Sequence, residues 1–296
     1  MSLKVLQFGA SGQMAREAVR HAAHHGVTLT ALPREVADLS DPAAIEAIVM
    51  AADADVIINA AAYTAVDKAE SERDLAFRIN GQSPGAMARA CAARGLPLVH
   101  VSTDYVFNGL GSRPWREDDP VDPINAYGDS KRAGEDAILA SGARAIILRT
   151  SWVFSAHGTN FVKTMLRLAN RPELNVVADQ VGRPTFAGDL AQAALTIGAQ
   201  MAADRSAPAG VFHFAGAGAV SWFEFAEAIF AQAGHRGGAP VPVIHPIPSR
   251  DYPTPAARPA NSVLDCERVE RAFGIVPRSW RDGLEQTLAE LASAPA

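Results

Sequence analysis

A chain of 296 residues, 48% hydrophobic and 20% charged, is long enough for one large α/β unit with an appended lobe, or for two modest domains. Its net charge of −5 excludes a broad basic surface and affinity driven mainly by nucleic-acid phosphates, so an anionic ligand must be held by local cations. Cys91 and Cys266 form neither a CxxC pair nor a metal-ligand spacing, which argues against a disulfide framework and for small buried thiols in a reducing compartment.

The N-terminus runs straight into the apolar LKVLQF, without the three-part layout of a secretory leader, and no later stretch approaches the uncharged length of a membrane span. A cytoplasmic protein without membrane or nucleic-acid partners is expected. Short apolar runs then alternate with alanine-rich helical patterns: KVLQF, GQMAREAVRHAAHHG, VTLTAL, ADVIINAA, a helical stretch toward Asn80, GAMARACAARG, LPLVHVSTD, a helix from Tyr127 to Leu139, and RAIILRTSWVF. Strands separated by single helices predict right-handed crossovers and a doubly wound parallel sheet covered on both faces.

After about Trp152 the rhythm changes. HGTNFVKTMLRLAN reads as a helix, LNVVAD as a strand and GDLAQAALTIGAQMA as a helix facing the core. Residues 1–155 are expected to form a dinucleotide-binding domain that also receives part of 176–205, and 156–296 mainly a smaller substrate-binding lobe. The run from Pro240 to Pro259 cannot be regular helix or central strand. With Arg250, Tyr252 and Arg258 among its prolines it reads as an ordered, irregular segment lining a cleft, the alternative being a plain surface linker.

QFGASGQMARE follows the first strand and opens the first helix, the context of a dinucleotide-binding turn. Gly9 permits the tight turn, Gly12 lets backbone approach a pyrophosphate, and Ala15 lets the helix pack close to the strand. The helix N-terminus offers free N–H groups to phosphates. Near the end of the second strand, an acidic residue would bind a ribose hydroxyl and an arginine a 2′-phosphate. Arg34 stands there, followed by Glu35, which favours NADPH, with NADH as the alternative. The spacing of Asp38 and Leu39 suits an adenine contact, a helix cap being the other reading.

NAYGDSK sets Tyr127 and Lys131 four apart in a chain with four tyrosines. On a helix this spacing places both on one face. A free phenol titrates near pH ~10, and an ammonium one turn away would stabilise its anion. VHVSTDYVF stops at Ser102 and Thr103 where a parallel sheet opens to its cleft, so Thr103 can donate to a carbonyl or alkoxide beside Tyr127, or simply cap the strand.

Gly9, Gly12, Ala15, Thr103, Tyr127 and Lys131 in this order resemble the extended short-chain dehydrogenase/reductase superfamily. NAAAYTAVDKAESE, STDYVFNG, NAYGDSK, LRTSWVF, NFVKTMLRLA, DQVGRPT and YPTPAARPANS narrow the resemblance to the dTDP-4-dehydrorhamnose reductase family across nearly the whole chain. The resemblance implies hydride transfer from NADPH or NADH to C4 of dTDP-4-dehydro-6-deoxy-L-mannose, giving dTDP-L-rhamnose. Tyr127 would protonate the alkoxide, Lys131 would lower its pKa and bind the nicotinamide ribose, and Thr103 would polarise the carbonyl. Gly12, Gln13 and Met14 would meet the pyrophosphate, Asp38 and Leu39 the adenosine end, and Ala62, Tyr63 and Thr64 the middle of the cofactor. Thr103, Asp104 and Trp152 would touch the sugar nucleotide, although Trp152 suits a core position equally. Arg258, with Arg183, would hold its phosphates.

Some bacterial members bind Mg²⁺ between subunits of a homodimer through three glutamates. Glu17 and Glu290 match two of them, but the third position is Gly188, and Asp189 would point about 100° away on a helix. A reductase or epimerase acting on another nucleotide-linked 4-keto sugar is the nearest alternative function, but Asp104 and Tyr105 follow Thr103 without the glutamate of a dehydratase. The other is a non-catalytic NADP-binding regulatory relative, against which Tyr127 and Lys131 both stand.

Overall fold

The computed structural model describes residues 2–235 and 241–293; Pro240 of the proline-rich run lies outside them. Six strands form one parallel sheet: β1 (Leu3–Phe8), β2 (Val27–Leu32), β3 (Val56–Asn59), β4 (Leu98–Thr103), β5 (Ala145–Thr150) and the strand Gly210–His213. Their spatial order is Gly210–His213, β5, β4, β3, β1, β2. Every residue of β3 and β5 is buried, as a strand covered on both faces requires. The chain winds outward from β1 to β2, then returns to the other side of β1 for β3. A cleft therefore opens above the carboxyl ends of β1 and β3.

Helices α1 (Gln13–Ala22), α2 (Pro42–Ala51), α3 (Val66–Ala69), α4 (Arg73–Phe77), α5 (Ser83–Arg94), α6 (Ala126–Ala140), α7 (Phe161–Leu168) and α8 (Ala187–Ala203) follow in chain order. The stretch read as one helix toward Asn80 is instead broken into α3, α4 and a π-helical turn, Arg78–Gln82, before α5. One face of the sheet packs Val5, Ile58 and Val99 against Met14, Ala18, Ala194 and Ile197 of α1 and α8. The other packs Phe8, Ile57 and Ile147 against Ile45, Met87 and Ile138 of α2, α5 and α6. Thus α8, beyond residue 155 in sequence, and the strand Gly210–His213 both serve the large sheet.

A second core gathers Phe154, Phe186, Phe225, Ile229, Trp280 and Leu284. Around it lie three small sheets, one pairing Val181–Gly182 with Val220–Ser221 and Asn261–Ser262, one pairing Glu173–Val177 with Val243–Ile247, and one pairing Val153–Phe154 with Thr185–Phe186. The proline-rich run thus contributes a strand, Val243–Ile247. Pro246 is tolerated because that strand has only one partner. From Pro248 onward the run is irregular but tied down: Ala257 O accepts from Asn125 Nδ2 at 2.8 Å and Ala256 N donates to Asp67 at 3.2 Å.

Candidate active site

The cleft divides into two chambers of 340 and 490 Å³ that share Ser11, Gly12, Ala60, Ala61, Ala62 and Thr64. Gly9, Arg34, Asp38 and Leu39 line the first; Gln13, Met14, Thr103, Asp104, Tyr127, Lys131 and Trp152 line the second. The sequence stretches that share no local pattern therefore meet on one continuous groove.

The first chamber has the form of a dinucleotide site. Gly9 has φ +97°, and a Cβ there would press on Ala61 at 3.2 Å. At Gly12 a Cβ would meet nothing of the protein within 4 Å, so the room beside this backbone belongs to the groove. Gly12 caps α1 with no side-chain hydrogen bond, and the first turn carries no acidic residue, leaving its amide donors to a phosphate. Gln13 and Met14 contribute main chain here: the Gln13 amide is already committed to Val153 O, Ser155 and Asn160, and the Met14 side chain is buried. Arg34 is 72% exposed, with only a 3.6 Å approach to Asp38, and can turn to a ribose phosphate. Asp38 is held below the usual carboxylate range by Ser40, whose N–H it accepts at 2.9 Å. Tyr63 is not brought to either chamber, because its hydroxyl donates to Glu72 at 2.7 Å and its N–H to Asn80 at 2.8 Å.

The second chamber brings together Thr103, Tyr127 and Lys131. Asn125 caps α6 by accepting from Gly128 N at 2.8 Å, which fixes the turn that carries Tyr127. The rings of Tyr105 and Tyr127 meet edge to face at 5.4 Å. Burial pushes the Tyr127 phenol up to about 12; a Thr103 hydrogen bond opposes this and the Asp104 charge reinforces it. The Lys131 amine lies at 2.8 Å from Val101 O and 3.2 Å from His100 Nε2. Lys131 itself is pushed down to about 8 by burial, with Glu135 opposing. Thr103 accepts from Tyr105 N at 3.2 Å and donates to Asp104 at 3.1 Å. Burial raises the Asp104 carboxyl to about 6, while Ser262 and Thr103 hydrogen bonds hold it down.

Trp152 forms the far wall. It has φ +49°, a left-handed backbone that costs an aromatic residue about 1–3 kcal/mol, and its ring stacks on Trp222 at 3.5 Å and 7°. Gly182 lies under the ring so closely that no Cβ fits there. The stack reconciles the two sequence readings of Trp152: one ring face belongs to the lobe core and the residue also borders the chamber.

The cations expected at the phosphates are differently placed. Arg183 spends its guanidinium on Gly216 O at 2.7 Å and Leu264 O at 2.6 Å, so it braces the lobe rather than standing free for a ligand. Arg258 donates to Asp67 at 2.9 Å and to Ala256 O at 3.0 Å. Neither arginine borders the two chambers, and nor do Arg250 and Tyr252, and Arg258 is held beside the groove by Asp67.

The carboxylates that resemble a metal site do not fit one. Arg20 reaches Glu290 at 2.8 Å and Glu17 at 3.4 Å, placing a guanidinium where a cation would bridge them. Asp189 is held by Arg278 at 2.7 Å, and the Phe186 ring fills the space a side chain at Gly188 would need. No cluster able to hold a metal occurs among the described residues.

Several site residues carry no sequence motif. Ser102 and Arg149, register partners on β4 and β5, both bind Glu135, at 2.5 and 2.6 Å. His100 faces Asn59 across β3 and β4, and Asn80 holds Ser130 at 2.9 Å beneath α6. A polar residue inside a largely buried strand, as in LVHVST, is the one signal that marks His100.

No helix among the described residues is long and apolar enough to cross a membrane. Residues 3–293 match the family model described as the RmlD substrate binding domain. A dTDP-4-dehydrorhamnose reductase of Burkholderia thailandensis is 45% identical over 98% of this chain and 100% of its own. One from Sinorhizobium fredii is 45% identical over 93% of each. The crystal structure of the Bacillus anthracis dTDP-4-dehydrorhamnose reductase in complex with NADP superposes with TM-score 0.88 at 34% identity, covering 98% of this chain and 100% of that one. With its two-chambered groove, its Thr103, Tyr127 and Lys131 at one end and this similarity along its whole length, the chain belongs to the dTDP-4-dehydrorhamnose reductase family.

Proposed function

We propose that this protein reduces the C4 keto group of dTDP-4-dehydro-6-deoxy-L-mannose to give dTDP-L-rhamnose, with NADPH as the preferred donor and NADH as the alternative. The observation that carries the reading is the placement of Thr103 and Tyr127 in the chamber that continues the Gly9–Gly12 turn, in a chain 45% identical to reductases of this name. Bound in the groove, NADPH supplies the hydride.

Gly12 and the amides opening α1 hold the pyrophosphate, and Arg34 reaches the 2′-phosphate. Ala62 and Thr64 line the passage between the chambers, and Asp38 and Leu39 border the adenosine end. Thr103 turns its proton from Asp104 to the substrate carbonyl and stabilises the charge that grows there. Tyr127, whose phenol stays protonated well above neutral pH, gives its proton to the C4 oxygen. Lys131 and Thr103 then stabilise the tyrosinate. Trp152 presents its ring to the sugar beside Asp104, and Arg258 exchanges Asp67 for a substrate phosphate. Residues 1–155 with α8 supply the cofactor half, and the lobe within 156–296 supplies the substrate wall. The partner is thus a small nucleotide sugar. A homodimer, also implied by the resemblance, would rest on contacts other than a carboxylate-bound metal.

The test is NADPH oxidation measured with dTDP-4-dehydrorhamnose beside other nucleotide-linked 4-keto sugars. Turnover is expected with the first and at least ~10-fold lower kcat/KM with the others, a difference of about 1.4 kcal/mol in transition-state binding. Faster reduction of another sugar would assign the chain to that substrate.

A further inference from the structure

Behind the Tyr127–Lys131 face lies a buried polar chain that the reaction as described does not use. Its direction can be read from one fixed end. Asn59 Oδ1 accepts the Ala61 N–H at 3.1 Å, so the Asn59 amide must present its NH₂ to the next group, which is His100 Nδ1 at 3.0 Å. His100 is fully buried, and burial keeps its ring neutral. A neutral ring that accepts at Nδ1 must carry its proton at Nε2. That Nε2–H points at Lys131 Nζ, 3.2 Å away. An ammonium has three donors and no acceptor, whereas a neutral amine has a lone pair to receive this proton.

We propose that His100 is a positioning residue that favours the neutral amine of Lys131, by aiming a donor at Nζ, so that Lys131 exchanges a proton during turnover instead of acting as a fixed cation. The inference rests on the reductase reading above. The other side of Nζ is consistent with it: Val101 O at 2.8 Å accepts an N–H from either form of the amine. The titratable groups around Lys131 are His100 from β4, Tyr127 one turn back on α6 and Glu135 one turn on, with Asp104 acting on Tyr127 from the end of β4. Glu135 is the one group that favours the ammonium, and its carboxylate is occupied by Ser102 and by two nitrogens of Arg149 at 2.6–3.0 Å. Asn80 and Ser130, from the π-helical turn and α6, do not titrate.

In the proposed cycle the phenol O–H of Tyr127 breaks and its proton goes to the C4 alkoxide, leaving tyrosinate. The Lys131 ammonium then returns a proton toward Tyr127, directly or through a bound hydroxyl, and becomes the neutral amine that accepts from His100. A solvent proton restores the ammonium before the next turnover, so protons balance at one consumed per carbonyl reduced. A lysine titrating at ordinary alkaline pH would supply the field without giving up a proton.

The test uses the full chain with ¹³Cε-labelled lysine, whose four side-chain signals are assigned with Lys131→Met. In the wild type the Lys131 signal is expected to titrate near 8. His100→Gln offers Nζ a carbonyl oxygen without adding charge, and Asn59→Asp forces the ring proton to Nδ1 and leaves Nε2 an acceptor. Both should raise the Lys131 midpoint by about one pH unit or more, tenfold in the protonation equilibrium. The alkaline limb of kcat for NADPH oxidation with dTDP-4-dehydrorhamnose should move up in the same variants, while NADPH affinity and the far-ultraviolet spectrum stay near wild type. A wild-type Lys131 midpoint in the ordinary lysine range overturns the proposal. So does an unshifted midpoint in whichever of the two variants folds, or a midpoint that moves without the kinetic limb. Failure of the wild type to reduce the sugar nucleotide, with the signal behaving as described, would instead overturn the assigned reaction and leave the His100–Lys131 coupling standing.

Discussion

Gly134 lies one turn beyond Lys131 on α6, facing the π-helical turn Arg78–Gln82, and the way these two segments touch sets where the catalytic helix rests. A Cβ built at Gly134 would stand 2.1 Å from the Asn80 carbonyl oxygen and 3.2 Å from its carbon. Backbone, unlike the end of a flexible side chain, cannot step aside, so relief to van der Waals separation moves α6 by about 1 Å. Two opposing effects follow from Gly134→Ala. Helix propensity favours alanine by about 1 kcal/mol, while overpacking a rigid contact costs typically 1–3 kcal/mol, more when the obstacle is backbone. The clash wins, and a net loss of ~2 kcal/mol, or about 4–8 °C in Tm, is expected by differential scanning calorimetry. Activity falls further than stability, because a displacement of about 1 Å of a positioned acid costs on the order of 10²-fold in kcat. Gly81→Ala is the graded comparison on the same interface, since its Cβ would meet the Ala133 methyl at 3.3 Å and the Ser130 carbonyl oxygen no closer than 3.6 Å. It should lose less than about tenfold in kcat. Wild-type kcat and Tm in Gly134→Ala, or equal losses in both variants, would refute the argument that this close approach positions Tyr127 and Lys131.

Asp104 is held near 6 against an ordinary value of 3.8, so the native state binds its proton more tightly than the unfolded chain and stability falls as pH rises from about 4 to about 6. Asp104→Asn escapes that loss. It should be more stable than wild type by about 3 kcal/mol above pH ~6, with the advantage vanishing below pH ~4, as urea denaturation across pH will show. Gly182→Ala puts a methyl group against the Trp152 ring and should lift it off Trp222. The expected result is a KM for the sugar nucleotide raised ~10-fold with NADPH affinity unchanged, and an unchanged KM would remove Trp152 from the substrate wall. Because Arg20 occupies the space between Glu17 and Glu290, excess EDTA or excess Mg²⁺ should leave kcat and sedimentation behaviour as they are. Loss of activity on chelation would contradict that assignment.

The large sheet was legible because apolar strands alternating with amphipathic helices leave few other solutions, and LVHVST and AIILRT read as the buried strands they are. The break of the helical stretch before Asn80 into a π-helical turn was not legible, since it is imposed from outside, by Tyr63 N–H and Ser130 bonding to the Asn80 side chain. The same holds for the strand Val243–Ile247: its prolines disfavour a strand locally, and pairing with Glu173–Val177 decides otherwise. In the site, spacing along one helix placed Tyr127 and Lys131 together, and a strand end placed Thr103. Spacing says nothing of what else an amine or guanidinium has found. The ties of Lys131 to His100 and Val101, and of Arg183 to Gly216 and Leu264, join residues 30 to 81 positions apart. Trp222 was unmarked for the same reason, being one apolar residue among many until Trp152 is laid on it.

The central claim is that Tyr127, in the chamber with Thr103, is the acid that completes reduction of the sugar's C4 carbonyl. The most direct measurement compares wild type and Tyr127→Phe in single-turnover NADPH oxidation with dTDP-4-dehydrorhamnose, alongside NADPH binding to each. The phenylalanine variant should bind NADPH within about threefold of wild type and reduce the sugar at least ~10²-fold more slowly, the smallest loss usual for removing a general acid. Reduction by Tyr127→Phe at the wild-type rate would contradict the claim.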